Sequence, residues 1–421
     1  MKIAFAISGL SMASGPTTFC VKVIEGLARA DCDVDLYVAK LAGVVLRPQD
    51  ERVKVVVSGK SFRPEGFPEL LHVHALWNMF SHHVAVYAKK HKIPYIVSSH
   101  GMLAPWALRH KRLKKRIAWG LYQKKDLTGA TMFHATAECE ITWLRELGFK
   151  QPCVLAPLGS DLPDLNHAAT QRRREVKKVL FVGRIYPVKG LMNLVRAWAA
   201  VKKSSFVHDC DRALMDLRTD ELSHWQLVIA GPDQAGHKAE LVAEAKRLDL
   251  TIADVTTDEL MHNRTHTLSP DIVFTGPVYG ADKDALYRMA DLFVLPSFTE
   301  NFGVVVTDAL SYGVPVITTK GTPWSELLGY CDHSVVASVV AMESVKPGTG
   351  RAGWWIDIGV EPLAAALREA INLSDDERHA MGENGRRLVE AKYTWPAIAE
   401  QMKVAYEWIL CGGEKPDCVV L

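Results

Sequence analysis

Short apolar runs alternate with longer segments of helical periodicity along this chain. In its first third, runs of four or five mostly apolar residues occupy positions 3–7, 34–38, 53–57, 71–74, 95–98 and 132–135. Helical patterns, such as the one over residues 19–30, lie between several of these runs. A regular alternation of strand and helix predicts a parallel, doubly wound sheet with helices on both faces.

The same alternation returns in the second half. Apolar runs recur at residues 179–182, 226–230, 272–275, 290–295 and 314–318, and helical patterns fill residues 361–373, 375–391 and 395–410. Polar residues 166–177 separate the two halves and are typical of a linker. We therefore expect an α/β protein of two Rossmann-like domains, residues 1–165 and 178–393, followed by a final segment over residues 394–421.

Composition fits a two-domain globular protein whose charge is unevenly distributed. The chain has 421 residues, a hydrophobic fraction of 48% and eight cysteines without close pairing. Reduced thiols are the rule in the cytoplasm, which is where we expect the protein. Its formal charge is +2, but residues 1–165 carry 22 basic against 14 acidic side chains (+8), and the remainder carries 28 against 34 (−6).

The basic excess concentrates in residues 106–125, which contain eight Lys or Arg and no acidic residue. Leu113, Ile117 and Leu121 share one face of a helix at this spacing. Two interpretations stay open here. The stripe can pack on the sheet beneath solvated charges, or the segment can lie on an anionic membrane surface. No base-reading module accompanies the charge, so we do not expect nucleic acid as a partner.

The first candidate for chemistry is the stretch 296–310, where an apolar run ends in a loop that contains Glu300 and Gly303. A strand end followed by a helix start favours an anion site, because the first helical N–H groups lack intrahelical acceptors. Asp308 follows Glu300 by eight residues, about 12 Å of helical rise. That spacing suits two contacts on one long ligand better than a catalytic acid–base pair. The β-branched residues 304–307 leave helix and strand both open.

A second candidate follows the apolar run at 179–182. Gly183-Arg184 ends that run, and Lys189-Gly190 precedes a helical pattern. An arginine fork and a lysine point charge at a strand end and a helix start can hold a diphosphate. Glycine turns also follow two further runs, at Gly231 and Gly276.

Strand ends of the first domain carry a third set of polar candidates. His74, Ser99 and His100 follow predicted strands, at the edge where parallel sheets bind ligands. Gly15 lies in a glycine- and serine-containing loop after the first strand, a loop that lacks the lysine of a P-loop. His72 and His74 alternate on one strand without a third ligand in view, so no metal site is expected.

Together these motifs resemble the GT4 family of retaining, nucleotide-sugar-dependent glycosyltransferases, which have the GT-B fold of two Rossmann-like domains facing a central cleft. The stretch from Glu300 to Asp308 is similar to the family's carboxylate–seven residues–carboxylate motif, with Asp in place of the usual second Glu. The resemblance covers nearly the whole chain. Residues 154–161 are similar to the family's Pro-Asn-Gly-Val-Asp segment, with Leu158 for Asn and Ser160 for Val.

The resemblance implies a role for each candidate residue. Glu300 and His100 would lie near the donor sugar, Asp308 at the nucleotide ribose, and Arg184 and Lys189 at the pyrophosphate. The backbone at Phe302, Gly303 and Val304, with the glycine turns at Gly15, Gly183, Gly231 and Gly276, would complete the donor site. The family's last helix returns to the first domain, which is implied here for residues 394–421.

The implied reaction moves a sugar from a nucleotide diphosphate sugar to a hydroxyl with retention, without a metal or another cofactor. Asp33-Val-Asp35 has the spacing of a metal-binding Asp-x-Asp but opens a first-domain strand. The basic segment suggests a glycan or lipid-linked acceptor at the cytoplasmic face of a membrane, as in surface-polysaccharide assembly. A GT-B sugar-nucleotide epimerase, or a silent nucleotide- or membrane-binding scaffold, remains an alternative.

Overall fold

The computed structural model describes residues 1–10, 15–41, 46–59, 61–165, 176–204, 224–261, 270–329 and 350–421. Two compact units account for this chain. The first comprises Met1–Gly159 together with Lys392–Leu421, and the second comprises Ser160–Ala391. The predicted domains divide at a linker over residues 166–177. Residues 166–175 of that linker lie outside the described chain, and a strand over Lys177–Val182 already begins within it.

The first unit is built on one sheet in the order β3-β2-β1-β4-β5-β6-β7-β15. Its strands are β1 Lys2–Ile7, β2 Asp33–Val38, β3 Lys54–Val57, β4 Leu70–His74, β5 Tyr95–Ser98, β6 Met132–Ala135, β7 Cys153–Leu155 and β15 Val419–Val420. All pairs are parallel except β15, which runs antiparallel to β7. The chain order reverses between β1 and β4, which makes the ends of these two strands the switch point of the sheet.

Helices cover both faces of this sheet, because its strands are apolar on both sides. The helices of this unit are α1 Gly15–Arg29, α2 Met79–His91, α3 Pro105–Arg109, α4 Arg112–Ala118, α5 Lys124–Thr128, α6 Glu138–Glu146 and α14 Trp395–Cys411; α4 has no buried residue and does not cover the sheet. Alternate residues of β1 belong to opposite cores: Ile3, Phe5 and Ile7 pack with α1 and α14, whereas Ala4 and Ala6 pack with α2 and α6.

Helix α14 is bound tightly to the rest of the first unit. A Cβ at Gly26 of α1 would lie 2.4 Å from the Cβ of Ala399, so the methyl group of Ala399 packs directly on the backbone of α1. On the sheet side, the Tyr406 hydroxyl lies 2.6 Å from Nδ1 of His72, in a fully buried contact. In the structure, α14 therefore packs on the first unit.

The second unit contains a parallel sheet in the order β10-β11-β9-β8-β12-β13-β14. Its strands are β8 Lys177–Val182, β9 Trp225–Ala230, β10 Ile252–Asp254, β11 Ile272–Gly276, β12 Leu292–Leu295, β13 Val316–Thr319 and β14 Gly353–Ile356. Its helices are α7 Leu191–Ser204, α8 His237–Arg247, α9 Thr257–Met261, α10 Gly280–Met289, α11 Val304–Ser311, α12 Val360–Asn372 and α13 Asp375–Lys392, the last of which ends at the unit boundary. The switch point here lies between β8 and β12.

The β-branched stretch 304–307 is helical and begins α11. Tertiary packing overrides propensity, because Val306, Ala309 and Leu310 lie at helical spacing and are fully buried. The Thr307 hydroxyl also donates to the carbonyl of Val304 at 2.7 Å, which satisfies that hydroxyl inside the core. The ambiguity left by the sequence is resolved in favour of helix.

The basic segment is not the single helix that its periodicity predicts. α3 ends at Arg109, and Lys111 takes a left-handed conformation (φ 53°) before α4 begins. After α4 the chain makes a π-helical turn over Trp119–Gln123 and then continues as α5. Within the described residues, no helix is both long and apolar enough to cross a membrane.

Buried histidines join the ends of β4, β5 and β6 in the first unit. The Ser98 hydroxyl lies 2.6 Å from Nε2 of His72 and 2.7 Å from Nδ1 of His134, and Nε2 of His134 donates to the carbonyl of Ala156 at 2.7 Å. Burial lowers the pKa of His72, His74 and His134 below 6.5, and it lowers the pKa of His100 to about 3. These imidazoles are therefore neutral in the fold.

The histidines predict an acid-labile first unit. Because the unfolded chain takes up their protons near pH 6.5, whereas the folded chain takes them up at lower pH, the stability that these histidines contribute is full above pH 6.5 and falls as the pH drops toward 3. Each histidine contributes a slope of up to about 1.4 kcal/mol per pH unit. We expect the free energy of unfolding of the first unit to decrease as the pH is lowered from 7.5 to 5.5. Urea titrations measure it, with hydrogen exchange of the backbone amides in β4 and β6 as the readout. His134→Gln should reduce this slope, and an unchanged slope would contradict the assignment.

Candidate functional site

The predicted donor residues of the second unit lie on both sides of its switch point. The loop after β8 carries Gly183, Arg184 and Lys189, and the loop after β12 carries Glu300 and Gly303. β8 and β12 are paired neighbours, in the register Val179 to Leu292. Ligands of open α/β sheets bind at such a crevice beside the carboxyl ends of the strands.

Three glycine turns pack backbone against backbone at this edge. The Gly183 N–H donates to Ala230 at 2.9 Å, and the Gly231 N–H donates to Gly276 at 2.7 Å. A Cβ at Gly231 would lie 1.8 Å from the carbonyl oxygen of Gly183, and the φ of Gly231 is 146°. Gly183 and Gly276 also have positive φ angles, 159° and 72°. Glycine is thus required where the strand ends converge.

Arg184 lies at the surface of the turn after β8. Its Nη1 donates to the Oε1 of Gln234 at 3.0 Å, and it has no salt bridge with any described carboxylate. Its neighbour Ile185 is fixed to the next loop, since its N–H donates to Pro232 at 2.9 Å. The guanidinium therefore projects from a rigid backbone with its positive charge uncompensated within the described chain.

Lys189 and Glu300 form an ion pair across the switch point, with Nζ of Lys189 on Oε1 of Glu300. The Ser297 hydroxyl donates to the same oxygen at 2.7 Å. Both charged side chains are about 15% exposed, so the pair is shielded yet reachable from solvent. The structure thus brings together two of the residues selected from sequence, 111 positions apart.

The two loops can approach because Gly190 has no side chain. A Cβ there would lie 2.0 Å from the carbonyl oxygen of Pro296, and the φ of Gly190 is 69°. The N–H of Phe298 donates to the carbonyl of Val188 at 2.9 Å, and the Glu300 N–H donates to Gly321 at 2.9 Å. The backbone of the Glu300 loop is therefore held on both sides.

Gly303 caps α11 in a left-handed conformation (φ 82°) that places the helix start beside Glu300. A Cβ at Gly303 would lie 3.7 Å from Cγ of Glu300. Phe302 is buried against Trp324, whose indole N–H donates to the Phe302 carbonyl at 2.6 Å. The amides of Gly303 and Val304 precede the first intrahelical hydrogen bonds, which gives this end of α11 its partial positive charge.

Asp308 has two partners that sequence reasoning missed. Its Oδ1 accepts from the Ser160 hydroxyl at 3.0 Å, and its Oδ2 pairs with Nζ of Lys283 at 2.6 Å. Ser160 was visible as a departure from the family segment, but its partner was not. Lys283 had no signal at all, since a lone lysine at the start of a helix is an ordinary surface residue.

His100 belongs to the first unit and follows β5 with a φ of 48°. Its Nε2 lies 3.0 Å from Nδ1 of His74, and Nε2 of His74 is buried without a hydrogen-bond partner among the described residues. The carboxylate of Glu140 fixes the loop, because it accepts from the Ser99 hydroxyl at 2.8 Å and from the Gly101 N–H. With its pKa lowered to about 3 by burial and by His134, His100 acts as a neutral hydrogen-bonding group.

Gly15 is the first residue of α1, where it is exposed, and a Cβ there would lie 4.0 Å from Leu158. The structure gives no steric reason for glycine at this position, and residues 11–14 of the same loop lie outside the described chain. Among the described residues, no group of three His, Cys, Asp or Glu side chains is arranged to hold a metal ion.

Two family models match the chain, one on each half. The model for "Glycosyl transferases group 1" matches residues 164–388, and the model for a "Glycosyl transferase 4-like domain" matches residues 14–159. The chain belongs to the group 1 glycosyl transferases, and the GT4 resemblance read from its motifs is confirmed.

Curated relatives carry the names of several transferases. The chain is 30% identical over 259 residues to a D-inositol 3-phosphate glycosyltransferase of Corynebacterium glutamicum, covering 57% of this chain and 47% of that protein. It is 27% identical over 232 residues to a lipopolysaccharide 1,2-N-acetylglucosaminetransferase of Salmonella typhimurium, covering 53% and 48%. The chain thus spans about half the length of the curated relatives it matches.

Solved structures confirm the fold. A sucrose-phosphate synthase from Thermosynechococcus elongatus has a TM-score of 0.64 at 18% identity, covering 98% of this chain and 99% of the other. Anabaena HepE, solved in complex with UDP and glucose, has a TM-score of 0.63 at 15% identity, covering 97% and 99%. At these identities the likeness establishes the GT-B fold class and nothing finer.

The glycine packing predicts a steep cost for one methyl group. Gly231→Ala should lower the unfolding free energy of the second unit by about 1–3 kcal/mol through backbone strain alone, and by more because the methyl group collides with Gly183. Gly236→Ala is the matched control, since Gly236 also has a positive φ (75°) but open space around it. Urea unfolding measures both variants, and equal losses would contradict the predicted collision.

Proposed function

We propose that this chain transfers a sugar from a nucleotide diphosphate sugar to a hydroxyl of a glycan or lipid-linked acceptor, with retention of the anomeric configuration. One observation carries the proposal. Arg184, the Lys189–Glu300 pair and the start of α11 stand together at the switch point of the second unit. Membership of the group 1 glycosyl transferases supports it.

Arg184, Lys189 and the amides of Gly303 and Val304 bind the donor's diphosphate. When the bond between sugar and phosphate breaks, negative charge builds on the leaving nucleoside diphosphate. Positioned cations and helix-start amides stabilise that charge most, because they need no rearrangement at that moment. Lys189 turns from Glu300 toward the diphosphate when the donor binds, before the bond breaks. The donor is a co-substrate, and no further cofactor is needed.

Glu300 and Asp308 hold the two ends of the donor. Glu300, once Lys189 turns to the phosphate, accepts from hydroxyls of the sugar, while Asp308 accepts from the ribose. Ser160 and Lys283 orient the shorter Asp308 side chain and so offset the methylene it lacks relative to Glu. Neutral His100 contributes a hydrogen bond to the transferred sugar rather than a proton.

The acceptor belongs to surface-polysaccharide or glycolipid assembly at the cytoplasmic face of a membrane. The lipopolysaccharide transferase among the relatives supports this role. So does the basic segment, residues 106–125, because its stripe does not pack on the sheet. Leu113 is 73% exposed and Leu121 is 71% exposed. An exposed apolar stripe among cations suits an anionic membrane surface.

Two alternatives make different predictions. A sugar-nucleotide epimerase would interconvert donors without an acceptor, so analysis of the reaction products separates it from a transferase. A silent scaffold would bind nucleotides without turnover, in which case Asp308→Glu brings no activity and Glu300→Ala removes none. Neither alternative is favoured by the family match.

Donor binding is tested by a thermal-shift panel of UDP, GDP, ADP, TDP and their sugars. A ligand that binds only the folded chain stabilises it by about 2.7 kcal/mol at a hundredfold excess over Kd. We expect a shift with one nucleotide, a weaker shift in Arg184→Ala and an undiminished one in Arg387→Ala, an exposed arginine of α13. No shift with any nucleotide, or equal loss in both variants, would sink the donor site.

Membrane association is tested with vesicles containing phosphatidylglycerol. The triple variant Leu113→Ser, Ile117→Ser, Leu121→Ser should stay in the supernatant on sedimentation, whereas the wild-type chain should pellet with the vesicles and be released by high salt, which screens the cations. Val57→Ser is the control, since Val57 is an exposed apolar residue on β3 (54%) away from the segment. Equal pelleting of the wild type and the triple variant would refute the contact.

A further inference from the structure

A cavity of about 430 Å³ lies beside the basic segment in the first unit. Its apolar walls are Trp77, Leu108, Trp119 and Leu147. None of the residues assigned above to the donor or to the sugar lines it. The volume falls within the range of ligand pockets, about 300–1,000 Å³.

Three cations, Arg112, Lys115 and Arg116, line the same cavity. Nζ of Lys115 donates to the carbonyl of Ala107 at 2.6 Å and lies 5.3 Å from the ring centre of Trp77. Burial lowers the pKa of Lys115, and the neighbouring charge of Lys111 lowers it further. No described carboxylate forms a salt bridge with Arg112 or Arg116. The cavity therefore combines an apolar interior with uncompensated positive charge.

Unusual backbone surrounds the cavity. Trp77 has a φ of 63°, which costs a bulky side chain on the order of 1–3 kcal/mol. Its conformation is enforced by the hydrogen bond from its N–H to the Oε1 of Gln123 at 2.8 Å. Gln123 and Trp119 both belong to the π-helical turn, and π-bulges occur frequently at functional sites. The loop after β4 and the π-helical turn thus hold the ring centres of Trp77 and Trp119 6.1 Å apart.

The exposed stripe and the cavity are separate surfaces of one segment. Leu113, Ile117 and Leu121 point to solvent, and none of them lines the cavity. Arg112, Lys115 and Arg116 of the cavity lie on α4, as do Leu113 and Ile117 of the stripe. A membrane that contacts the stripe would therefore bring its lipids close to the cavity. An unbranched hydrocarbon chain fills apolar walls, and a phosphate group pairs with arginine and lysine.

We propose that this cavity binds an anionic phospholipid of the bilayer, with the hydrocarbon chain along the apolar walls and the phosphate on Arg112, Lys115 and Arg116. The proposal rests on the membrane contact proposed above but names a distinct site. A free sugar phosphate would leave the apolar walls unfilled, and an uncharged lipid would leave the cations unpaired. Each buried methylene of the chain adds about 0.8 kcal/mol to binding.

The test uses lysophosphatidic acid, a single-chain phosphate lipid, as a monomer, with binding measured by native mass spectrometry. Gly120 lines the cavity, has no neighbour within 4 Å of an added Cβ and needs no positive φ, so Gly120→Leu fills space without strain. We expect it to weaken binding at least tenfold. Should Gly120→Leu fold poorly, Leu147→Trp is a second variant that fills the cavity, from a residue outside the basic segment.

Charge is tested in parallel. Arg112→Gln with Arg116→Gln should weaken binding tenfold or more, whereas Lys114→Gln with Lys124→Gln, the same charge change outside the cavity lining, should leave it unchanged. Far-UV circular dichroism and the melting curve without ligand report whether each variant is folded, and the nucleotide thermal shift reports whether its second unit is intact. It also separates the failure of this site from the failure of the donor site.

The remaining outcomes are equally decisive. The stripe triple variant should still bind monomeric lysophosphatidic acid although it no longer pellets with vesicles, so loss of vesicle binding alone refutes the membrane contact and not the cavity. Unchanged binding in both filling variants would overturn the proposal. So would equal competition by glycerol phosphate, which lacks the chain, or tighter binding of an isoprenyl phosphate, which would assign the cavity to the acceptor's lipid instead.

Discussion

The contact of two loop backbones at Gly190 and Pro296 sets the geometry of the second unit's ligand edge. No side chain fits between them, since an added Cβ at Gly190 would stand 2.0 Å from the Pro296 carbonyl. Because the loops touch, Lys189 and Glu300 meet across the switch point. A similar contact between Gly183 and Gly231 fixes the neighbouring turn and the direction in which Arg184 leaves it. The packing of the loop backbones thus positions the charged side chains before a ligand binds.

Charge compensation at this edge is selective. Lys189 is matched by Glu300 and Lys283 by Asp308, while Arg184 is matched by no described carboxylate. In the proposed donor complex, an incoming diphosphate would meet Arg184 first and then compete with Glu300 for Lys189. That competition would free the Glu300 carboxylate as the phosphate binds, so the sugar-binding group would become available when the donor is seated.

The sequence was most informative where one rule governs the outcome. Parallel strands buried on both faces are continuous apolar runs, and β1, β8 and β12 were recognisable as such. Glycine–cation motifs at strand ends identified the residues of the donor edge, whose role stays a prediction. The sequence could not predict contacts between residues far apart in the chain. The hydrogen bond from Ser160 to Asp308, for example, joins residues 148 positions apart. Periodicity also could not tell that the Leu113 stripe faces solvent, or that a left-handed Lys111 would break the basic helix.

The attachment of α14 to the first unit imposes an order on biosynthesis. The second unit, Ser160–Ala391, is continuous and can fold as soon as it leaves the ribosome. The first unit must wait, because the His72–Tyr406 contact joins residues 334 positions apart and β7 gains its neighbour β15 only after the second unit has been made. During translation the N-terminal sheet therefore lacks α14 over its α1 face and exposes the edge of β7. Nascent chains in this interval should be the substrates of chaperones, and translation arrest before residue 395 should leave an aggregation-prone product.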